Sequence, residues 1–385
     1  MTSFEASSQT DGLARLLVAV EGYPHGDLHG EVCHQFVHVR NTYYQRAGFV
    51  VDVLNFSAKT DYCFQGISVI CEESYKKSAK QYDLLLCHQP NLKHHLTFCS
   101  KNLHKFKKVI FFFHGHEVLK MSKSYPEPYP YARKNPVSVL LRDMYDELKF
   151  SIWRNYFSKI KHQAKFVFVS DWMYREFKRW LKVDDTFLGE DALIIPNCIG
   201  EAFEIYHYDT VCEKDFDFVT IRGNLDTSKY AVDLVIESAR MNPKAKFLIV
   251  GKGEIFDHFG KPYNITWINS SLSHDEIIEK LNRAKCALMP TRTDAQGLMM
   301  CEMASYGIPL ISSDVEVCQE VLAPFSNVRL QPNSNFGKGI TDLIKEIEPA
   351  AADSVSPYSK AKTIELEVQL MREQIWGFGS ECRSL

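Results

Sequence analysis

The chain has 385 residues, of which 45% are hydrophobic and 24% charged, so its composition is that of a globular protein. This length exceeds one ordinary hydrophobic core, and we expect two domains. The net charge of −3 argues against a protein that coats nucleic acid with its whole surface, so no nucleic-acid partner is expected. The eleven cysteines show no CxxC or finger-like spacing, which indicates reduced thiols in a cytosolic protein.

The first half of the chain alternates short apolar runs with helix-length segments. Continuous apolar runs, unlike alternating ones, are typical of parallel strands that are covered on both faces. A helix is predicted within residues 30–48. Strands are predicted within residues 15–22, 49–56, 82–89, 107–117, 165–172 and 192–198. This succession of strand, helix and strand indicates a doubly wound domain.

The same pattern restarts after residues 204–215, which lack periodicity and are predicted to be a linker. Strands are predicted at 216–224, 246–254, 265–269, 286–292 and 309–314, and helices at 230–242, 273–284, 297–307 and 359–375. We therefore expect an α/β protein with two Rossmann-like domains facing a cleft. The predicted divisions are an N-terminal domain (1–200), a C-terminal domain (201–355) and a final helix (356–385) that crosses back to the first domain.

Two carboxylates, Asp294 and Glu302, lie on either side of a predicted helix start at Gly297. Free amides in the first turn of a helix, together with its dipole, favour an anionic group such as a diphosphate. Glu302 would accept hydrogen bonds from the vicinal hydroxyls of a ribose, and Asp294 from hydroxyls beyond the phosphates. Phosphate in the middle and a polyol at each end describe a nucleotide sugar. Taken alone, the two acids would more simply be a loop cap and a solvated side chain.

The segment from 288 to 314 resembles the Glu-x7-Glu segment of retaining GT-B glycosyltransferases, the family typified by bacterial mannosyl- and glucosyltransferases. Two positions depart from the family pattern: Asp294 replaces the first Glu, and Gln296 replaces an aromatic residue. The matching residues are Pro290, Thr291, Gly297, Leu298, Glu302, Ala304, Gly307 and Pro309.

The resemblance extends over nearly the whole chain in the same order. Gly30 holds the place of the glycine in the family's first loop, and His114 that of a histidine near the reacting sugar. Lys229 lies at the lysine position of the segment whose Arg and Lys neutralise the donor diphosphate. Asn224 stands at the arginine position, while Arg222, two residues earlier, would either reach the same phosphates or cap its strand.

The resemblance implies a retaining transfer through an oxocarbenium-like sugar, with the diphosphate as leaving group. No metal or other cofactor is implied, because cations and helix amides would take the metal's role. His114, Asp294 and Lys229 would take part in catalysis, although His116 and Glu117 are open alternatives to His114. The donor-binding residues implied are Gly30, Arg222, Asn224, Lys229, Thr291, Asp294, Gln296, Gly297, Leu298, Met299 and Glu302.

One stretch of the chain is strongly basic, with 14 Lys/Arg against 5 Asp/Glu between Lys101 and Lys165, a local excess of nine positive charges. The excess, mixed with aromatic residues, is either an ordinary solvated face or a surface for anionic lipid headgroups or a phosphorylated substrate. No apolar run approaches the roughly eighteen residues of a membrane span. We therefore expect a cytoplasmic protein, peripheral on the inner membrane face if this surface binds lipid, whose acceptor is a saccharide or a lipid-linked saccharide.

Two alternatives remain open at this point. A sugar-nucleotide epimerase shares this two-domain fold but gives the segment around Lys229 no evident role. A non-catalytic partner subunit would have kept the fold and lost turnover, and the departures at Asn224 and Asp294 keep that interpretation open.

Overall fold

Within the residues that the computed structural model describes (13–26, 35–133, 135–337, 339–351 and 355–377), the strands form two sheets. The first sheet has the strand order β3-β4-β2-β1-β5-β6-β7-β8 and is parallel except for the β3–β4 pair. Its strands are β1 (Arg15–Val20), β2 (Val50–Asn55), β3 (Tyr62–Phe64), β4 (Ile67–Ile70), β5 (Leu84–His88), β6 (Lys108–Phe113), β7 (Ala164–Phe168) and β8 (Ala192–Ile194). The helices of this first unit are α1 (Gln35–Arg46), α2 (Glu72–Lys77), α3 (Thr97–Asn102), α4 (Met121–Ser124), α5 (Pro136–Ile160) and α6 (Asp171–Leu181).

The second sheet is parallel throughout, with the order β11-β10-β9-β12-β13-β14. Its strands are β9 (Phe216–Asn224), β10 (Phe247–Lys252), β11 (Ile265–Ile268), β12 (Ala284–Met289), β13 (Leu310–Ser313) and β14 (Val328–Gln331). The helices of this second unit are α7 (Ala202–Ile205), α8 (Val232–Met241), α9 (Ile255–Phe259), α10 (His274–Asn282), α11 (Leu298–Tyr306), α12 (Glu316–Leu322) and α13 (Ile340–Leu343). The order of its strands, third-second-first-fourth-fifth-sixth, is that of a doubly wound sheet whose winding reverses between β9 and β12.

Burial on both faces explains the continuous apolar runs of the central strands. In β6, Phe111 and Phe113 pack on one face against Trp153 and Phe157 of α5. Phe112, between them, belongs to the core on the opposite face. Strand residues therefore alternate between two cores, as a sheet covered on both faces requires.

The last helix, α14 (Lys360–Trp376), follows the second unit but packs on the first. Ile364, Val368 and Met371 are fully buried in the core that contains β1 and β2. The predicted fold class is thus confirmed, including the final helix that crosses back. The predicted boundaries at residues 200 and 355 stay a prediction.

Sequence reasoning missed the hairpin of β3 and β4. These strands have three and four residues, too few to show a periodicity. The turn places Gln65 and Gly66 at φ 46° and 82°, a left-handed geometry that matches the twist of paired strands. Because the first turn residue is Gln rather than Asn or Asp, the usual hairpin signal is absent from the sequence.

Candidate functional site

The candidate site lies where the winding of the second sheet reverses. β9 and β12 are neighbours there, and the loops that follow their carboxyl ends carry Lys229 and Asp294. Ligands of open α/β sheets bind at such reversals, because the two loops diverge and leave a crevice. The structure thus brings together two predicted residues that are 65 positions apart in the sequence.

Lys229 and Asp294 form a shielded pair of opposite charges. The Lys229 Nζ lies 4.0 Å from Asp294 Oδ1, and both side chains are less than one-fifth exposed. The ammonium group also lies over the rings of Tyr230, 4.5 Å from the centroid, and Tyr125, at 5.7 Å. Burial alone would lower the pKa of Lys229, but Asp294 and the two phenols hold it above its ordinary value. Lys229 is therefore a permanent cation in a partly desolvated site.

Arg222 adds a second buried cation beside this pair. Its guanidinium donates to the carbonyl oxygens of Met289 (3.3 Å) and Pro290 (2.8 Å) and lies over the Tyr230 ring, 4.8 Å from the centroid. Its Nε is buried without a partner, and within the described residues no carboxylate lies within 4.0 Å of the guanidinium. Burial lowers the pKa of Arg222, partly offset by Asp294. Two cations thus share one acid, and the site carries excess positive charge.

Asn224, which stands at the family's arginine position, turns away from this crevice. Its side chain is exposed, and its Oδ1 accepts from the backbone amide of Asp226 at 2.8 Å. The expectation that Asn224 binds the donor gains no support from this geometry. Of the two positions weighed from the sequence, Arg222 is the one beside Asp294, and it also caps the end of β12.

Thr291 joins the loop that carries Asp294 to the loop that carries Lys229. It is fully buried, and its hydroxyl lies 2.9 Å from the carbonyl oxygen of Lys229. The next amide, that of Arg292, donates to the same oxygen at 2.7 Å, and the Arg292 guanidinium pairs with Asp233 at 2.6 Å. Thr291 therefore contributes to the site by fixing the backbone of Lys229.

Gly297 starts α11 in a conformation that suits glycine. Its φ is 69°, and a Cβ there would meet the Met300 side chain at 2.1 Å. The amides of Leu298 and Met299 form the first turn of α11, where no intrahelical acceptor exists. Because this helix end follows the Asp294 loop, its dipole adds to the positive character of the site.

Glu302, one turn into α11, is almost completely buried. Its Oε1 accepts from the backbone amide of Gly200 at 3.0 Å, in the segment that joins the two units. Burial raises the pKa of Glu302 to about 7, and the Gly200 bond offsets this only in part. Glu302 is thus near its titration point at neutral pH and contacts the inter-unit connection.

Gln296 also bonds to the connection between the units. Its Oε1 accepts from the Asn197 amide at 2.8 Å, and its Nε2 donates to the Asn197 carbonyl at 3.0 Å. Its neighbour Ala295 accepts through its carbonyl oxygen from the Ser170 hydroxyl at 2.6 Å. An aromatic residue at position 296 could not make these two hydrogen bonds. The glutamine at this position, where the family pattern has an aromatic residue, therefore has a structural reason.

His114 follows β6, at the carboxyl edge of the first sheet. Its Nε2 lies 3.0 Å from His88 Nδ1, and its Nδ1 lies 3.0 Å from Asn197 Oδ1. Its backbone amide and that of Gly115 donate to the two oxygens of Glu117. His116 and Glu117, the two alternatives to His114, therefore differ from it in their surroundings. Glu117 orders the backbone of this loop, and the His116 side chain is exposed.

A segment of the first unit, residues 125–131, covers the pair in the second unit. Tyr125 faces Lys229, while the Tyr129 hydroxyl donates to Asp233 at 2.7 Å. Tyr131 donates to Asp226 at 2.8 Å and stacks on His258. From the sequence, this stretch was predicted only to be part of a basic surface with aromatic residues. Its role depends on contacts across the cleft, which no local pattern shows.

Gly30 lies outside the described residues. Within the described part of the chain, no three His, Cys, Asp or Glu side chains cluster in a way that would hold a metal ion. No described helix is both long enough and apolar enough to cross a membrane.

Comparisons with known proteins agree with this architecture. Residues 209–354 match the family model for "Glycosyl transferases group 1". The sucrose-phosphate synthase of Thermosynechococcus elongatus superposes with a TM-score of 0.66 at 14% identity, over 94% of this chain and 98% of that one. The fold is GT-B. A glycosyltransferase from Rickettsia africae (TM-score 0.63, 11% identity, 95% and 99% covered) has this GT-B layout as well. So has the catalytic domain of Arabidopsis thaliana starch synthase IV bound to ADP and acarbose (TM-score 0.56, 11% identity, 94% and 99% covered). No curated protein matches the sequence.

Proposed function

We propose that this GT-B protein is a retaining glycosyltransferase that moves a sugar from a nucleotide-sugar donor to a saccharide acceptor. The observation that carries the proposal is the excess of buried positive charge at the strand reversal. Lys229 and Arg222 share the single carboxylate of Asp294, beside the open first turn of α11. An anionic ligand such as a diphosphate would balance that charge.

The donor would lie across the carboxyl edge of the second sheet. Lys229, Arg222 and the amides of Leu298 and Met299 would bind the diphosphate and stabilise the charge that grows on it as it leaves. These groups would serve in place of a metal ion. Asp294 would accept from sugar hydroxyls and help to place the anomeric carbon.

Glu302 would recognise the ribose. Its Oε1 is bonded to Gly200, so Oε2 would accept from a ribose hydroxyl while Oε1 keeps the connection in place. His114 would face the transferred sugar from the first unit. The group 1 match over residues 209–354, which contain all the donor residues named here except His114, supports this assignment.

A thermal-shift panel with UDP, GDP, ADP and CMP, without and then with magnesium, tests the proposal. A nucleotide at 100 times its Kd stabilises the fold by about 2.7 kcal/mol, which is readily measured. We expect one nucleoside diphosphate to shift the melting temperature without magnesium. If none does so, a non-catalytic subunit that kept the fold becomes the better reading.

The acceptor would be membrane-proximal, and the supporting feature is α5 rather than the total basic charge. Lys108 and Ala164 begin β6 and β7, so the lysines near these residues lie at the edge of the sheet opposite the cleft. The first half of α5, in contrast, lies on the cleft side and exposes a row of large apolar residues. These are Val137, Leu140, Leu141, Met144 and Leu148, each about 60% exposed.

An exposed row of this kind marks an interaction surface. Co-sedimentation with vesicles of anionic lipid would detect binding, and Leu140→Ser with Leu141→Ser should abolish it. Matched substitutions at the exposed Val211 and Tyr263 of the second unit should leave it unchanged. If parent and variants remain equally in the supernatant, the acceptor is not recognised at a membrane through this surface.

A further inference from the structure

Asn197 lies in the connection between β8 and α7, where the chain leaves the first unit, and it is held from both units. Its backbone amide and carbonyl are bonded to the Gln296 side chain, on the same loop as Asp294. Its side-chain oxygen accepts from Arg40 Nη2 at 3.1 Å and lies 3.0 Å from His114 Nδ1. One residue therefore joins the donor loop of the second unit to a histidine at the edge of the first.

The chemistry of these groups decides the direction of each hydrogen bond. An arginine can only donate, so the atom of the Asn197 amide that faces Arg40 must be the oxygen. That oxygen also faces His114, and therefore the Nδ1 of His114 carries the hydrogen. In the neutral imidazole, Nε2 is then the acceptor and takes a hydrogen bond from His88 Nδ1.

The cation that fixes the Asn197 amide is itself firmly held. Arg40 is fully buried, and its Nε donates to Glu367 of α14 at 2.9 Å. Burial opposes its charge, but the Glu367 carboxylate keeps the pKa of Arg40 above its ordinary value. The Tyr44 hydroxyl donates to the same carboxylate. A continuous polar path thus runs from the final helix through Arg40 and Asn197 to His114.

We propose that Asn197 is a positioning residue, which holds His114 in the Nδ1–H tautomer and ties that orientation to the Asp294 loop through Gln296. Among the described residues, the charged or titratable groups that these hydrogen bonds link to His114 are His88 from β5, Glu117 from its own loop, and Arg40 with Glu367 from α1 and α14. Of these, Arg40 is connected to the imidazole through the Asn197 amide. The importance of this arrangement for transfer rests on the proposed function, whereas the tautomer itself does not.

Nitrogen-15 NMR of the unliganded full chain tests the tautomer directly. The His114 signals are those missing from the spectrum of a His114→Gln variant. We expect the parent to show a protonated Nδ1 and an unprotonated Nε2 at high pH. A parent protein with His114 protonated at Nε2 would overturn the proposal without any variant.

Two substitutions of Asn197 separate positioning from packing. Asn197→Asp keeps both acceptor bonds and adds a negative charge beside the ring, so the Nδ1–H tautomer should remain and the titration midpoint of His114 should move to higher pH. Asn197→Ala removes the acceptor, and the tautomer preference should be lost. If both variants keep the parent tautomer and titration midpoint, the proposal is wrong.

A matched control is Asn242→Asp, in a residue of the second unit whose amide donates to the carbonyl oxygens of Ser238 and Gly337. It should lower the melting temperature and leave the His114 signals in place. If instead it shifts the tautomer as Asn197→Ala does, the effect is general loosening and the positioning role is refuted.

Kinetics then connect the tautomer to turnover. With an active donor and acceptor, Asn197→Ala should lower kcat about 10-fold or more and change the donor KM less than 3-fold. Asn197→Asp should restore most of kcat above its shifted midpoint, where the His114 ring is neutral. A loss confined to KM would overturn the positioning role. If the parent shows the expected tautomer but no transfer with any donor, the proposed function fails while the Asn197 assignment stands.

Discussion

The two carboxyl edges that face the cleft are built differently. In the second unit, the Lys229 and Asp294 loops are fixed by buried or partly buried hydrogen bonds to backbone carbonyls, made by the side chains of Thr291, Arg222 and Arg292. In the first unit, Asn197 and Glu117 fix the His114 loop, but the rest of the cleft edge consists of the 125–131 segment, bonded mainly to the other unit, and of α5, whose first turns are exposed. A well-fixed edge suits a ligand of constant shape, such as a nucleoside diphosphate, and the exposed part of the first edge suits a larger and more variable acceptor.

The strongest test of the well-fixed edge is Lys229→Ala. It removes the cation nearest to Asp294. If the proposed function is right, the leaving diphosphate loses one hydrogen-bond donor, and we expect kcat/KM to fall by about 10²- to 10³-fold. The nucleotide-induced thermal shift should disappear as well. Lys285→Ala is the matched control, because Lys285 pairs with Asp217 at the start of β12, away from the crevice. Equal loss in both variants would contradict the assignment.

A second test uses the acid that contacts the connection between the units. The pKa of Glu302 is about 7 in the fold against an ordinary 4.5, so the folded state binds more protons between these values. The contribution of Glu302 to stability is therefore complete below pH 4.5 and is lost as the pH rises to 7. In Glu302→Gln, the drop in unfolding free energy from pH 5 to pH 8 should shrink by about 2 to 3 kcal/mol.

Denaturant titrations at the two pH values measure this difference. Glu279→Gln, in an exposed residue of α10, should reproduce the parent's pH dependence. An unchanged slope in Glu302→Gln would mean that this carboxylate titrates as it would in water.

Thr291→Val tests the hydrogen bond from the Thr291 hydroxyl to the backbone carbonyl of Lys229. Losing the buried hydroxyl should cost about 1 to 2 kcal/mol of stability and lower nucleotide affinity several-fold, because the backbone of Lys229 loses one of its two bonds. Thr363→Val removes a comparable buried hydroxyl bond in α14 and should cost stability alone. Denaturation and nucleotide titration together distinguish the two variants.

The smallest effect is expected at Asn224, although the family pattern gives its position a major role. Its side chain is exposed and caps the turn at Asp226. Asn224→Ala should change stability by at most about 1 kcal/mol and leave nucleotide affinity essentially unchanged in a calorimetric titration. A tenfold loss of affinity would place this residue back in the donor site.

Part of the candidate site could be expected from the sequence because its parts follow recognisable strands. Lys229, Asp294, Gly297 and Glu302 were predicted from their place in the strand–loop–helix pattern and from the family resemblance. The structure brings the first three to one crevice, and their roles stay a prediction. Tyr125 and Asn197 were missed. Each touches a group distant in sequence, so no spacing within one segment indicates its contact.

The sequence alone determined the two doubly wound units, since continuous apolar runs at short spacing have few stable arrangements other than a covered parallel sheet. It also indicated that a helix begins at Gly297, because this glycine follows an apolar strand with its loop and precedes a helical run. Only the tertiary structure decided that Arg222 rather than Asn224 lies beside Asp294, and that Gln296 bonds the connection between the units. Backbone periodicity is local, whereas the direction of a polar side chain depends on partners that folding brings from far along the chain.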